Sequence, residues 1–232
     1  MQAINAEFGR GNDLGSYRGT VWYTDAGGSG TFSSTNLGFD QFYGKRATSP
    51  SFSATISSNQ TNLNLRTWAL ANGWNGSSSA TITIGAGVYI YSTSTGTAGL
   101  TINGSWPGGV TLVNNGYIMG MGGAGGTTSG STGNGSAGGS AISIGVACTI
   151  TNNSYIAGGG GGGACGGGGL SGGGGGSGGG VGGIAENATG SVGGAGGGPG
   201  SSGSNGNNVF GPFGKEVNWK GAGGGGGRIL PG

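Results

Sequence analysis

Between residues 80 and 119, and again from 141 to 157, apolar side chains alternate with polar ones in short runs. Ile82 and Ile84, Val88 and Ile90, Val110 and Leu112, and Ile142 and Ile144 are each set off by Gly, Asn or Ser. A period of two predicts short strands with one buried face. The pattern also repeats. Val110-Thr-Leu-Val-Asn-Asn-Gly-Tyr-Ile-Met-Gly120 matches Cys148-Thr-Ile-Thr-Asn-Asn-Ser-Tyr-Ile-Ala-Gly158 at an offset of 38. A second match, at an offset of 60, sets Ile82, Ile84, Gly85, Val88 and Ile90 against Ile142, Ile144, Gly145, Cys148 and Ile150. The pairs Asn114-Asn115 and Asn152-Asn153 suit left-handed corners between strands. Strands that stack and turn at corners predict a solenoid-like or prism-like β module. Upstream, Leu63, Leu65, Trp68, Leu70 and Trp74 predict a short helix on the edge of that module, ending at a left-handed Gly73.

Each copy of the repeat runs directly into glycine, at 120–126 and at 158–169, and further runs follow at 172–183, 193–198 and 221–227. Glycine supplies 68 of the 232 residues, against about 7% in an average chain, so an ordinary core is excluded for this half. Collagen requires glycine at every third position. From 157 to 184 the non-glycine residues Ala157, Ala164, Cys165, Leu170, Ser171, Ser177, Val181 and Ile184 occupy all three phases, which excludes a triple helix. Polyglycine II helices side by side are the remaining ordered arrangement. They have three residues per turn, rise about 3.1 Å per residue and hold no internal hydrogen bond. Only glycine lets neighbouring backbones approach closely enough to satisfy one another. The fold class expected is therefore mainly β and irregular. A short-strand module at 51–119 leads into a polyglycine II bundle with intervening loops at 120–232.

Residues 1–50 read differently. Phe8, Tyr17, Trp22, Tyr23, Phe32, Phe39, Phe42 and Tyr43 are spaced by turn-forming clusters of Gly, Asn, Asp and Ser. So short a segment is not expected to bury this aromatic load by itself. Phe8, Tyr17, Trp22, Phe39, Phe42 and Tyr43 are accordingly candidate attachment residues toward another protein or further copies of the chain.

Charge narrows the chemistry. From Thr67 to Ala185 there is no Asp, Glu, Lys, Arg or His, and the chain as a whole has no histidine and a net charge of +2. Nucleic acid and anionic membranes are poor partners for such a surface, and no stretch has the roughly 20 apolar residues that a membrane-spanning helix needs. Metal sites and Ser-His-Asp or Cys-His catalysis lack their ligands and bases. No cofactor is expected and no enzyme activity. Glu186 and Glu216 are the carboxylates of the glycine region that a glycosidase pair could use, and solvated loop carboxylates are the simpler reading. Cys148 and Cys165 read as free thiols, with their pairing left open. After residue 117 aromatic and charged residues gather at one place, where Phe210, Pro212, Phe213, Lys215 and Trp219 are candidates either for contact with a partner or for a lid on the bundle.

Asn64-Leu-Arg-Thr-Trp-Ala-Leu-Ala-Asn-Gly-Trp74, Gly87-Val-Tyr-Ile-Tyr-Ser-Thr-Ser-Thr-Gly96, the Val-Asn-Asn-Gly-Tyr-Ile motif and the glycine runs together resemble the glycine-rich domain of bacteriophage tail proteins. Asn5-Ala-Glu-Phe-Gly9, the stretch 14–19 and Leu37-Gly-Phe-Asp-Gln-Phe-Tyr-Gly44 are similar to the head of such proteins. The runs also resemble the polyglycine sandwich of the distal adhesins of T-even-like phages, whose recognition loops are flanked by glycine runs. The matching stretches here are 184–192 and 199–220. The resemblance implies a virion protein made in the host cytoplasm, part of a tail fibre, spike or tip. Its implied partners are other tail proteins, further copies of itself (a trimer among the options) and a bacterial surface protein or glycan. A purely structural tail role is the next reading, and a receptor-degrading spike the third.

Overall fold

The computed structural model describes residues 1–126 and 133–163, together with Gly194, Ala195, Ser204 and the strands Val209–Phe210 and Glu216–Val217. The fold is mainly β, with two short α-helices among the described residues.

The N-terminal unit consists of α1 (Gln2–Phe8), two single 3-10 turns at Leu14–Tyr17 and Phe39–Phe42, and a hairpin of β1 (Val21–Tyr23) with β2 (Ser29–Thr31). It closes on its own aromatics. Tyr17, Phe32 and Phe42 are buried, with Met1, Ile4, Phe8, Leu14, Trp22 and Leu37 packed around them. Phe42 lies 4.3 Å from Phe32, 5.5 Å from Tyr17 and 5.8 Å from Phe8 between ring centroids, the last two edge-on as ring quadrupoles prefer. The expectation that this segment cannot bury its aromatics is corrected in part, since Tyr17, Phe32 and Phe42 are buried while Phe39 and Tyr43 stay exposed. Small as it is, it wraps four rings around one another from elements distant in sequence, and the Tyr17 hydroxyl finds an acceptor in the Gly11 carbonyl.

From Ser51 the chain winds in coils. The first coil holds β3 (Ser51–Ile56), β4 (Gln60–Thr61), β5 (Leu63–Asn64) and then α2 (Leu65–Ala71). The second holds β6 (Ser79–Ile84), β7 (Tyr89–Tyr91) and β8 (Leu100–Ile102). The third holds β9 (Val110–Asn114), β10 (Tyr117–Met119) and β11 (Ile142–Ile144), and the fourth β12 (Thr149–Asn152) and β13 (Tyr155–Ala157). Each strand pairs in parallel with its equivalent in the next coil, giving three sheets in the orders β3-β6-β9-β12, β4-β7-β10-β13 and β5-β8-β11. A two-residue hairpin, β14 (Val209–Phe210) with β15 (Glu216–Val217), lies further along the chain.

Alternation along each strand sends every second residue inward, so coil equivalents form columns. Ile82 sits beside Leu112, Ile90 beside Ile118, and Leu100 between Leu63 and Ile142. Ile82, Leu112, Ile90, Ile118 and Leu100 are fully buried, and each contributes about 1.5–3 kcal/mol by leaving water. Helix α2 begins at Asn64, whose side chain accepts from the Thr67 amide, and ends before a left-handed Gly73 (φ 97°), as expected. It lies on the edge of the β5-β8 sheet.

Two sequence expectations change. The match at offset 38 is true stacking, since Thr111 pairs with Thr149 and Tyr117 with Tyr155. The match at offset 60 is not, because Ile82 and Ile142 lie in different sheets. The coils differ in length, so a chance similarity of pattern there has no structural counterpart. The paired asparagines also do not turn corners by left-handed backbone, and among the described non-glycine residues only Asn62 (φ 47°) takes positive φ. They act through their side chains instead. Asn114 donates to Asn152 Oδ1 at 2.7 Å, and Asn153 donates to Asn115 Oδ1 at 2.9 Å. Cys148 is a free, half-buried thiol.

Candidate functional site

The chain leaves the coil stack at one corner, after β10, and again after β13. Three segments, 120–126, 133–140 and 157–163, then run beside one another. Their hydrogen bonds recur every third residue. Gly120, Gly123 and Gly126 donate to the carbonyls of Ala157, Gly160 and Gly163 at 2.8–2.9 Å. Ser136 and Gly139 donate back to Ala124 and Met121 at 2.8 and 2.7 Å, and Gly159 and Gly162 donate to Gly139 and Ser136 at 2.8 Å. Each segment therefore donates to one neighbour and accepts from the other, in a closed cycle. Backbone groups that would otherwise need water or a β ladder are satisfied with no side chain between them.

That cycle dictates where glycine is required. A Cβ built on Gly120, Gly123, Gly126, Gly135, Gly138, Gly159 or Gly162 would fall 1.8–2.2 Å from a neighbouring backbone atom, which no side chain tolerates. At Gly158 and Gly161 the nearest atom stands at 3.5 and 3.8 Å, an ordinary contact. Met121 and Ala124 occupy one of the permitted phases on the first segment, and Ser136 and Ala137 the permitted phases on the second. Over the whole glycine region the phases look mixed, yet within each described segment one phase in three is reserved.

The second segment reaches the third through β11, β12 and β13 of the coil stack. Residues 127–132 link the first to the second, and they lie outside the described residues, as do 164–193. The hairpin of β14 and β15 contains Phe210, paired with Glu216. Pro212, Phe213, Lys215 and Trp219, the other contact candidates, lie outside the described residues, as does the carboxylate candidate Glu186.

The attachment candidates separate into two groups. Tyr17 and Phe42 are buried, Phe8 packs against both, and Trp22 is half-buried beneath Lys45, whose Nζ stands 3.3 Å from the ring centroid. These four hold the N-terminal unit together. Phe39 and Tyr43 point away from it and are 57% and 92% exposed, the most open of the six. Asp25 pairs with Arg46 at 2.5 Å on the surface, and the Asn75 side chain ties the unit to the coils by donating to the Asp25 carbonyl at 2.7 Å.

Sequence reasoning missed a row on the outer face of the β4-β7-β10-β13 sheet. Tyr89, Tyr117 and Tyr155 stack ring on ring across three coils, with centroids 4.7 and 5.7 Å apart and planes within 14° and 5° of parallel. Tyr117 and Tyr155 were visible in the repeat. Tyr89 was not, because the second and third coils differ in length from the pair that repeats at 38. A groove on the neighbouring sheet has Ser79, Thr81, Thr111, Cys148 and Thr149 as its polar side chains, hydroxyls and one thiol, among Gly, Ala and Val. Among the described residues no three His, Cys, Asp or Glu come together as metal ligands, and no described helix is long and apolar enough to cross a membrane.

No curated protein and no solved structure matches the chain. A family model described as phage tail fibre adhesin Gp38 does match, over residues 51–230, beginning at the first strand of the first coil and running through the glycine segments and the last hairpin. By that span the chain belongs to the phage tail fibre adhesin Gp38 family.

Proposed function

We propose that this protein is a non-enzymatic host-recognition subunit of a phage tail fibre, in which loops between glycine segments touch the bacterial surface. Family membership supports the virion tail as its place and host attachment as its role. The observation that carries the finer reading is the closed hydrogen-bond cycle of period three among segments 120–126, 133–140 and 157–163. Three residues per turn with only intersegment bonds is the signature of polyglycine II, and on this reading the parallel coils beneath are a β-solenoid. A bundle held by backbone alone leaves its loops free to vary. A substitution in a loop disturbs no side-chain core, so contact residues can change while the mount does not. This is the division of labour between scaffold and binding loop seen wherever recognition is carried on loops.

The N-terminal unit then supplies attachment to other tail proteins or to further copies of the chain, through Phe39 and Tyr43. Phe210, Pro212, Phe213, Lys215 and Trp219 are the contact residues toward a surface protein or glycan. The test is adsorption of phage carrying Phe213→Ala or Trp219→Ala. Lost adsorption with normal particle assembly and unchanged melting of the purified protein supports receptor contact. Lost stability with adsorption retained makes the segment a lid, and leaves the protein with a purely structural part at this end.

A further inference from the structure

We propose that the row Tyr89, Tyr117 and Tyr155 is a binding stripe for an extended, uncharged glycan chain, on the flank of the coil stack and separate from the loops. The three tyrosines occupy equivalent outward positions, since Tyr89 pairs with Tyr117 and Tyr117 with Tyr155 in the parallel ladder. Ile90, Ile118 and Ile156 beside them face the core or pack against it. Face-to-face stacking uses the ring faces between them and turns the hydroxyl-bearing edges outward. Tyr89 and Tyr117 are half-buried and Tyr155 is 41% exposed. Among the described residues none of the three hydroxyls has a hydrogen-bond partner, whereas the Tyr17 hydroxyl does.

A phenol hydroxyl both donates and accepts, which suits a sugar hydroxyl. The spacing suits a chain of sugars. An extended β-linked pyranose chain advances per ring by close to the strand-to-strand distance of about 4.8 Å, and the tyrosine rings stand 4.7 and 5.7 Å apart. One ring of the glycan therefore meets one tyrosine. Amide groups flank the row. Asn59, exposed in the first coil, uses its Oδ1 on the Tyr89 amide and keeps its NH2 free. Asn115 and Asn153 lie two residues before Tyr117 and Tyr155, are joined to each other at 2.9 Å, and leave one amide group each for a ligand.

The surroundings choose the ligand's charge. Between residues 51 and 185 the only charged side chain is Arg66, and it belongs to α2, which packs on the β5-β8 sheet rather than on the sheet of tyrosines. Among the described residues of the coils, an acidic polysaccharide would find no cation along this stripe. A neutral one loses nothing by that.

The test is titration calorimetry of the purified full chain with cellohexaose, an extended β-1,4-linked glucan, and with maltohexaose, whose α-1,4 linkage curls the chain. Cellohexaose should bind with a Kd on the order of 1 mM or tighter, and maltohexaose clearly more weakly. Tyr89→Phe/Tyr117→Phe/Tyr155→Phe keeps the stacked rings and removes the hydroxyls, so it should melt as the parent does and bind cellohexaose about tenfold more weakly or not at all. Tyr117→Phe alone, at the centre of the row, is the second variant should the triple one melt lower. Absence of cellohexaose binding, equal binding of both hexaoses, or full binding by the Phe variants would each overturn the proposal. Because no loop residue and no bacterium enters the measurement, these outcomes are independent of whether the loops contact a receptor.

Discussion

Asn114 donates from its side-chain amide to Oδ1 of Asn152 in the next coil, 38 residues along the chain, at 2.7 Å. In the two preceding coils the same inward position is filled by Ile56 and Ile84. The column changes from apolar to polar at the level where the glycine segments leave the stack. Asn114 is fully buried, and its remaining groups are met by the Tyr155 carbonyl at 3.1 Å and the Gly116 amide at 3.1 Å. A buried amide with all its partners is stabilising, and one stripped of them is costly.

Asn114→Ala should therefore lower the unfolding free energy by about 2–4 kcal/mol, since it leaves a cavity, an unpaired Gly116 N–H and a half-satisfied Asn152. Asn115→Ala, on the exposed side of the same corner, removes one surface hydrogen bond to Asn153 and should cost about 1 kcal/mol or less. Thermal melting of the two variants side by side measures the contrast. Equal losses would show that the inward asparagine carries no special weight.

The glycine segments make a sharper contrast. Gly123→Ala brings a Cβ to 2.0 Å from the Ser136 carbonyl oxygen, and Gly162→Ala brings one to 1.8 Å from that of Ala124. Either should pry two segments apart and break the hydrogen-bond cycle. Gly161→Ala, one residue away, meets nothing closer than 3.8 Å and should leave melting and protease resistance as they are, or raise stability slightly by restricting the unfolded chain. Limited proteolysis, with cleavage mapped to 120–163, reads the difference. Similar behaviour of Gly161→Ala and Gly162→Ala would refute the close packing.

Much of this was legible in the sequence, and the limits have physical causes. Strand period, the α2 stop at Gly73 and the offset-38 repeat all came from local pattern, because strand pairing between coils of matched length copies the pattern. In a run such as 158–163 every position is the same residue, so nothing distinguishes Gly161 from Gly162. The distinction comes from which backbone lies alongside. The N-terminal aromatics were misjudged for a related reason. Composition counts Phe42 and Tyr43 alike, whereas the 3-10 turn at Phe39–Phe42 aims one inward and leaves the next outside. Phe39 and Tyr43 stand open to solvent, Phe8 and Trp22 are half-buried, and Tyr17 and Phe42 are taken up by the unit's own core.

That division yields the last prediction. Phe42 touches Phe8, Tyr17 and Phe32 and is buried to 7% exposure, so Phe42→Ala should cost about 3–5 kcal/mol of the unit's stability. In a small unit whose core is separate from that of the coils, a loss of that size should unfold residues 1–50 while the coil stack stays folded. Hydrogen exchange would show this as protection lost in α1 and β1 and kept in β6 and β9. Phe39→Ala and Tyr43→Ala remove rings that this chain does not bury and should leave exchange unchanged throughout. If these two rings anchor the subunit to its fibre, the double variant Phe39→Ala/Tyr43→Ala should still fold but be missing from purified particles, because interface energy concentrates in a few aromatic anchors. Particles carrying the double variant at the normal level would remove both residues from the attachment surface. Particles lacking Phe42→Ala but retaining the double variant would mean that the fold of the unit matters for assembly and its exposed rings do not.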